Sequence, residues 1–236
     1  MDLAQLIEHY TPSDSTVELV RRTKLALLVG ITGAGKDTIK QALLAKTDYR
    51  KMISYTTRAP RMNSGIEEVN GVDYHFIDQT QAMVMIEARE FVEVKFVHGT
   101  VYGTSAEQVR QAYEQHKIAI ADVDVQGVGE YKTLSPDVIA MFIVPPDYET
   151  WRQRLALRYE SPTAFDAEWP KRRDSAIAEL QQALRVPYYH FIVNDELERA
   201  VEAADEIAHR SDTFLRKDDE ARLIARDLLA AIQTAN

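Results

Sequence analysis

Residues 30–38 read GITGAGKDT. Gly30, Gly35 and Lys36 fit the spacing G-x-x-x-x-G-K of a phosphate-binding loop, with Gly33 and Ala34 inside the curl. Glycines let such a backbone bend until successive N–H groups point at phosphate oxygens, and the helix that follows adds its positive end. The lysine reaches the outer phosphates. Where the pattern carries a Ser or Thr that ligates magnesium, this chain has Asp37, with Thr38 next. Asp37 has two readings. In the first turn of a helix its carboxylate stabilises the helix dipole by ~0.3–1 kcal/mol. As an oxygen donor it ligates magnesium, directly or through water, and repels nearby phosphates when no cation is present. Thr38 offers a hydroxyl that leaves the helix in another direction.

The flanking elements decide whether the glycines are only geometric. LALLV (25–29) is a continuous apolar run, the pattern of a strand buried on both faces. DTIKQALLAK after the loop places Ile39, Ala42 and Leu43 at helical spacing. Strand, loop and helix in that order favour phosphate binding over a bare turn. Apolar runs recur at KMISY (51–55), IAIADV (118–123), VIAMFIV (138–144) and FIV (191–193), with helical patterns between most of them. The alternation predicts an α/β fold with a mainly parallel sheet. Residues 56–108 break it: NSG, NG, HGT and YGT punctuate short alternating strands such as FVEVKFV, which predicts a small mixed insertion. Residues 151–173 are arginine-rich, hold two prolines and read as a mobile basic segment. Residues 1–10 predict a short helix with Leu3, Leu6, Ile7 and Tyr10 on one side, and Thr16 is a candidate cap for VELVRR. At the other end, DDEARLIARDLLAAIQ has apolar residues at 221, 224, 228, 231 and 232, the pattern of an amphipathic helix.

The chain's 236 residues can bury a sizeable core. A net charge of −9 argues against a general nucleic-acid binder and leaves room for a local basic pocket. With no cysteine, disulfides, thiolate metal sites and a cysteine nucleophile are excluded. The histidines form no metal-ligand pair. No apolar run approaches the ~20 residues of a membrane helix. MDLAQLIEHYTPSDS is acidic and polar, unlike a signal peptide. A cytoplasmic protein is expected, with no membrane or nucleic-acid polymer as partner.

Further motifs follow the loop. SYTTRAPR (54–61) sets Arg58 and Arg61 three apart, and EEVNGVDYHF (67–76), FVE (91–93), HGTVYGT (98–104) and DVDVQG (122–127) come after it. Together with GAGK, in this order and spacing, they resemble the guanylate kinase family, whose members transfer a phosphoryl group from ATP to GMP. The likeness runs from about residue 24 to about residue 207 and ends with VNDELERAV (193–201). It implies a P-loop kinase with a parallel-sheet core, a GMP-binding insertion at about 54–108 and an arginine-bearing lid at about 151–173. Residues 1–23 and 209–236 would then be N- and C-terminal extensions. The resemblance implies that Arg58, Arg61, Tyr74 and Tyr102 hold the GMP phosphate, and that Ser54, Glu93, Thr104 and Asp124 read guanine. It makes Arg154, Arg158 and Arg172 (or Arg173) lid arginines that act with Lys36 and Arg58 in catalysis. Asp122 matches an acidic residue near the magnesium and the acceptor, so Asp37 and Asp122 are the expected metal-side residues, with Mg²⁺ as cofactor to ATP.

The chemistry agrees with that assignment. A GMP phosphate is dianionic, and arginine forks grip it bidentately. Guanine presents N1–H and N2–H₂ donors, which suit the carboxylates of Glu93 and Asp124, and an O6 acceptor, which suits Thr104. Adenine reverses this order. Phosphoryl transfer needs mainly positioning and charge neutralisation. Arg154 and Arg158, four apart, are expected on one helix face aimed at the transferring group.

Two rival readings carry weight. GKD is also found in the loop of ribosyl-bisphosphate phosphokinases, which suggests a kinase for another phosphorylated acceptor such as a ribose bisphosphate; the guanine-reading set argues against it. A non-catalytic guanylate-kinase-like binding module would lack the loop and its lysine, which this chain keeps.

Overall fold

A computed structural model describes residues 3–63, 65–209 and 218–235. The helices are α1 (Leu3–Glu8), α2 (Asp14–Arg22), α3 (Lys36–Leu44), α4 (Gln79–Glu87), α5 (Ala106–Glu114), α6 (Val125–Leu134), α7 (Tyr148–Ala156), α8 (Pro162–Arg185), α9 (Leu197–His209) and α10 (Asp218–Thr234). The strands are β1 (Leu25–Val29), β2 (Tyr49–Lys51), β3 (Tyr55–Thr56), β4 (Met62–Asn63), β5 (Ile66–Glu67), β6 (His75–Phe76), β7 (Phe91–Val97), β8 (Thr100–Ser105), β9 (Ile118–Asp122), β10 (Ile139–Val144) and β11 (Tyr189–Val193). The chain divides into two compact units. The first comprises Met1–Leu25, Asp48–Ala121 and Gly129–Val138; the second comprises Ala26–Thr47, Asp122–Val128 and Ile139–Asn236.

In the first unit, β6, β3, β8 and β7 form a mixed sheet in that order. β3 runs parallel to β6 and antiparallel to β8, and β7 pairs antiparallel with β8. This is the mixed segment that the turn-rich sequence predicts. The register shifts between Phe91 and Glu93, so Phe91 and Val92 are both buried and Glu93 comes opposite Thr104. The sheet packs on α4, which opens with a reciprocal cap between Asp78 and Gln81. Leu3 is part of the same core as Ala82, Ile86, Phe91, Val94 and Val101, and Leu6, Ile7 and Tyr10 pack against it. The amphipathic pattern at the N-terminus therefore has a physical outlet. The Tyr10 hydroxyl donates to the Phe91 carbonyl at 2.5 Å. Burial pushes its pKa up to about 12. α2 lies against α5, where Arg22 donates to the Tyr113 hydroxyl at 2.7 Å.

In the second unit, β1, β10 and β11 are parallel, with β10 in the middle. Every residue of β1 and β10 is buried, as continuous apolar runs require. α3 packs on α9, and α10 packs on α8 and β11. Ala221, Ala225, Leu228 and Ile232 form the buried stripe of α10. From the same helix, Arg222 stacks over Phe191 at 4.7 Å and donates to the Tyr189 carbonyl at 3.3 Å. Among the described residues no helix is long and apolar enough to cross a membrane.

Three expectations need correction, and one segment gains its secondary structure. KMISY is not one strand: the chain leaves β9 after Lys51 and Met52 and re-enters at β3 in a different sheet. Ser13, not Thr16, caps α2; the Ser13 Oγ accepts the Thr16 N–H, and Thr16 lies buried in the first turn. The basic segment 151–173 is helical apart from the turn at 157–161. α8 starts at Pro162 and runs unbroken through Pro170, a position that ordinarily costs ~3 kcal/mol. Beside it, buried Trp169 packs with Trp151, Phe165 and Tyr148, and that aromatic cluster offsets the penalty. Finally, α7 ends at Ala156, so Arg154 and Arg158 do not share a helix face; Arg158 lies in the turn, its N–H donating to the Leu155 carbonyl. Ser64 of the predicted loop RMNSGIEEVNG and residues 210–217 of the predicted C-terminal extension lie outside the described residues.

The packing of α10 makes it part of the second unit's core. Leu228→Ala should lower the unfolding free energy by about 2–5 kcal/mol, read by urea denaturation. A change within error would show that α10 is an appendage.

Candidate active site

The loop after β1 depends on two glycines that nothing else can replace. Gly30 has φ +139°, and a Cβ there would lie 2.2 Å from the Ile143 carbonyl oxygen. Gly35, the N-cap of α3, has φ +91°, and its Cβ would lie 2.1 Å from Asn194 Nδ2. That amide nitrogen donates to the Ala34 carbonyl at 2.8 Å. On the other flank, Trp151 Nε1 donates to the Thr32 carbonyl at 2.8 Å. The Thr32 and Ala34 carbonyls are therefore tied to α7 and to the residue after β11. Arg154 Nη1 in turn donates to the Asn194 carbonyl at 2.8 Å, so Arg154 props the brace.

Lys36 folds back over this loop and donates to the Gly30 carbonyl and, at 3.3 Å, to that of Ile31. Burial lowers its pKa below the ordinary lysine value, with Glu179 and Asp37 opposing. Burial in turn raises the Glu179 pKa, and the Lys36 charge works against that rise. A cavity of about 430 Å³ opens beside the loop, lined by Thr32, Lys36, Asp37, Asp122, Arg158, Tyr159 and Arg172. Thr38 is exposed and not part of this wall. Asp37 is in the first turn of α3, and Lys40 one turn on donates to it at 3.2 Å while also contacting Asp122. Burial favours the neutral acid at Asp37, but Lys40, then Lys36 and Arg158, outweigh it and hold its pKa below the usual carboxylate value. Arg172 Nε donates to the Tyr159 hydroxyl at 2.9 Å. Arg173 turns away, to the Ala235 carbonyl. Asp124, also in the second unit, caps α6 by accepting the Gly127 N–H at 2.6 Å.

The first unit holds the other half of the expected set. Ser54 Oγ and Thr104 Oγ1 are 3.3 Å apart, and Thr104 faces Glu93 across the strand pair. Arg58 stacks over Tyr74 at 5.0 Å, and Tyr74 meets Tyr102 edge-on at 6.2 Å. Both terminal nitrogens of Arg58 are bound by Glu68, at 2.5 and 2.8 Å. That carboxylate raises the Arg58 pKa above its ordinary value. The Arg58 Nε–H is buried and meets no acceptor. The Arg61 backbone N–H also donates to Glu68, and its side chain is exposed.

Sequence reasoning missed Glu68, Trp151, Glu179, Asn194 and Lys40. Opposite charges three apart in DTIK were a readable sign of the Asp37–Lys40 pair. Nothing local marks Asn194 or Trp151 as braces, because their partners are loop carbonyls more than a hundred residues away.

Comparison with known proteins agrees with the motifs. The family model described as guanylate kinase matches residues 22–211. A protein of Geobacter metallireducens named guanylate kinase is 34% identical over 197 residues, covering 82% of this chain and 93% of that one. Guanylate kinase 1 of Oryza sativa subsp. japonica is 35% identical over 182 residues, which is 76% of this chain but 46% of that longer relative. The crystal structure of guanylate kinase from Anaplasma phagocytophilum superposes with a TM-score of 0.59 at 22% identity, covering 87% of this chain and 95% of that one. At that identity it establishes the α/β fold.

Asn194→Ala removes the donor to Ala34 and the wall beside Gly35. It should lower stability by about 1–3 kcal/mol in thermal melts and weaken ATP binding roughly tenfold by calorimetry. Unaltered ATP affinity would show that the loop holds its curl unaided.

Proposed function

The chain belongs to the guanylate kinase family, and from that premise we propose how its residues divide the transfer of a phosphoryl group from ATP to GMP. It is a nucleoside monophosphate kinase: ATP donates and GMP accepts. The observation that carries the acceptor assignment is the cluster of Ser54, Thr104 and Glu93 on β3, β8 and β7. The Glu93 carboxylate takes the guanine N1–H and N2–H₂ donors and the hydroxyls serve O6, while Asp124 has its guanine-reading role from the family resemblance. Tyr74, Tyr102 and Arg58 receive the GMP phosphate, with Arg61 at the exposed edge. Glu68 holds the Arg58 fork in place before the phosphate arrives.

On the donor side, the backbone from Gly30 through Gly33 and Ala34 to Gly35 cradles the ATP phosphates, and Lys36 swings from its own loop carbonyls onto the outer oxygens. Thr38, exposed on α3 beside Asp37, completes the ATP-side set. Arg158 and Arg172 line the cavity and neutralise charge that shifts during transfer. Arg154 contributes by bracing Asn194. Asp37 and Asp122 are hard oxygen donors already drawn around one cation, the Lys40 ammonium, so the pair fits magnesium. Magnesium bound there would offset the negative charge of the transferring phosphates. Such a reaction draws on the nucleotide pools of the cytoplasm, which is where we place the enzyme.

A coupled assay of ADP release, with ATP, magnesium and a panel of nucleoside monophosphates and ribose phosphates, tests the reading. GMP should give the highest kcat/KM, and Glu93→Gln should lower that value by a factor corresponding to roughly 1.5–3 kcal/mol. Preference for a ribose phosphate, or full activity with GMP in Glu93→Gln, would overturn the acceptor assignment.

A further inference from the structure

Lys40 is one turn beyond Asp37 on α3, and only 14% of its side chain is exposed. Its ammonium touches Asp37 Oδ1 at 3.2 Å and Asp122 Oδ2 directly. The two carboxylates come from separate elements, the first turn of α3 and the last residue of β9. Both face the cavity that also holds Lys36, Arg158 and Arg172. A hydroxyl at position 37 would carry no charge, whereas the aspartate adds one beside a site built for phosphate. The i, i+3 lysine cancels that charge locally.

We propose that Lys40 is a resident counter-ion of the donor site, a positioning residue that holds Asp37 and Asp122 together before nucleotide binds and yields that place to a divalent cation. The inference rests on the proposed metal-side assignment of the two carboxylates. A cation that takes oxygens from both must displace an ammonium already hydrogen-bonded to both. Free magnesium must shed tightly held waters for these two carboxylates alone and competes poorly. A cation carried by the ATP phosphates brings its own oxygen ligands, and Lys40 is free to turn toward those phosphates. The consequence is an order of events: the metal enters with the nucleotide, not ahead of it. The aspartate that departs from the loop pattern is thereby kept from repelling ATP.

The test is Mn²⁺ binding to the nucleotide-free protein, followed by electron paramagnetic resonance of the unbound ion. Wild type should bind Mn²⁺ weakly. Lys40→Met, which keeps the stem and removes the charge, should bind one Mn²⁺ at least about tenfold more tightly, because two unpaired carboxylates then face each other. Lys40→Gln should show the same gain, which covers the case in which the methionine variant does not fold. Adding Asp37→Ser to either variant should abolish it. Equal Mn²⁺ binding by wild type and both single variants would overturn the proposal. Phosphoryl transfer to GMP, measured on the same wild-type preparation, separates the two readings. Transfer without any Mn²⁺ gain rejects the role of Lys40 alone, and no transfer rejects the kinase assignment beneath it.

Discussion

A backbone can turn a row of N–H groups toward phosphate only where residues adopt positive φ and carry no Cβ to meet their neighbours. Gly30, Gly33 and Gly35 meet that condition here, with φ of +139°, +87° and +91°. The second unit is arranged around it. The Ile143 carbonyl on β10 closes one side of Gly30, and the Asn194 amide closes one side of Gly35. Trp151 and Asn194 donate to the carbonyls of Thr32 and Ala34, which ties the loop backbone to its neighbours. Parallel pairing of β1, β10 and β11 brings these groups to the same end of three strands, where ligands of such sheets bind.

Charge is the second organising quantity, and each unit balances it differently. In the second unit the cations Lys36, Lys40, Arg158 and Arg172 meet the carboxylates Asp37, Asp122, Glu168 and Glu179. Burial lowers the Lys36 pKa from its ordinary value, a desolvation cost that a bound anion would offset. On the acceptor side Arg58 is already paired with Glu68, both largely buried. A paired fork held over Tyr74 has little freedom left to lose when a phosphate binds, which is preorganisation in a direct sense.

Much of this was legible in the sequence because it is periodic or local. The buried strands announced themselves as unbroken apolar runs in LALLV and VIAMFIV, and the terminal helices as stripes ending on Tyr10 and Ile232. The site residues came in short motifs with a fixed order. What local pattern could not supply was where a run changes sheets, as at Met52, or which of two neighbouring arginines turns inward. Arg172 reaches Tyr159 and Arg173 reaches Ala235, a difference set by the face of α8 that packs on α10. Pro170 lies inside α8 where propensity disfavours it, and the burial of Trp169 beside it outweighs that cost. Asn194, Glu68 and Glu179 act through partners fixed by tertiary contact, so their roles had no signature in sequence.

The central claim is that this loop, with aspartate after its lysine, cradles phosphate. Calorimetric titration of Mg-ATP into wild type and Lys36→Met tests it most directly. The account predicts saturable one-to-one binding in wild type that weakens by at least roughly tenfold in the variant, as loss of a charge-assisted contact to phosphate requires. No binding in wild type, or equal affinity in the two proteins, would contradict it.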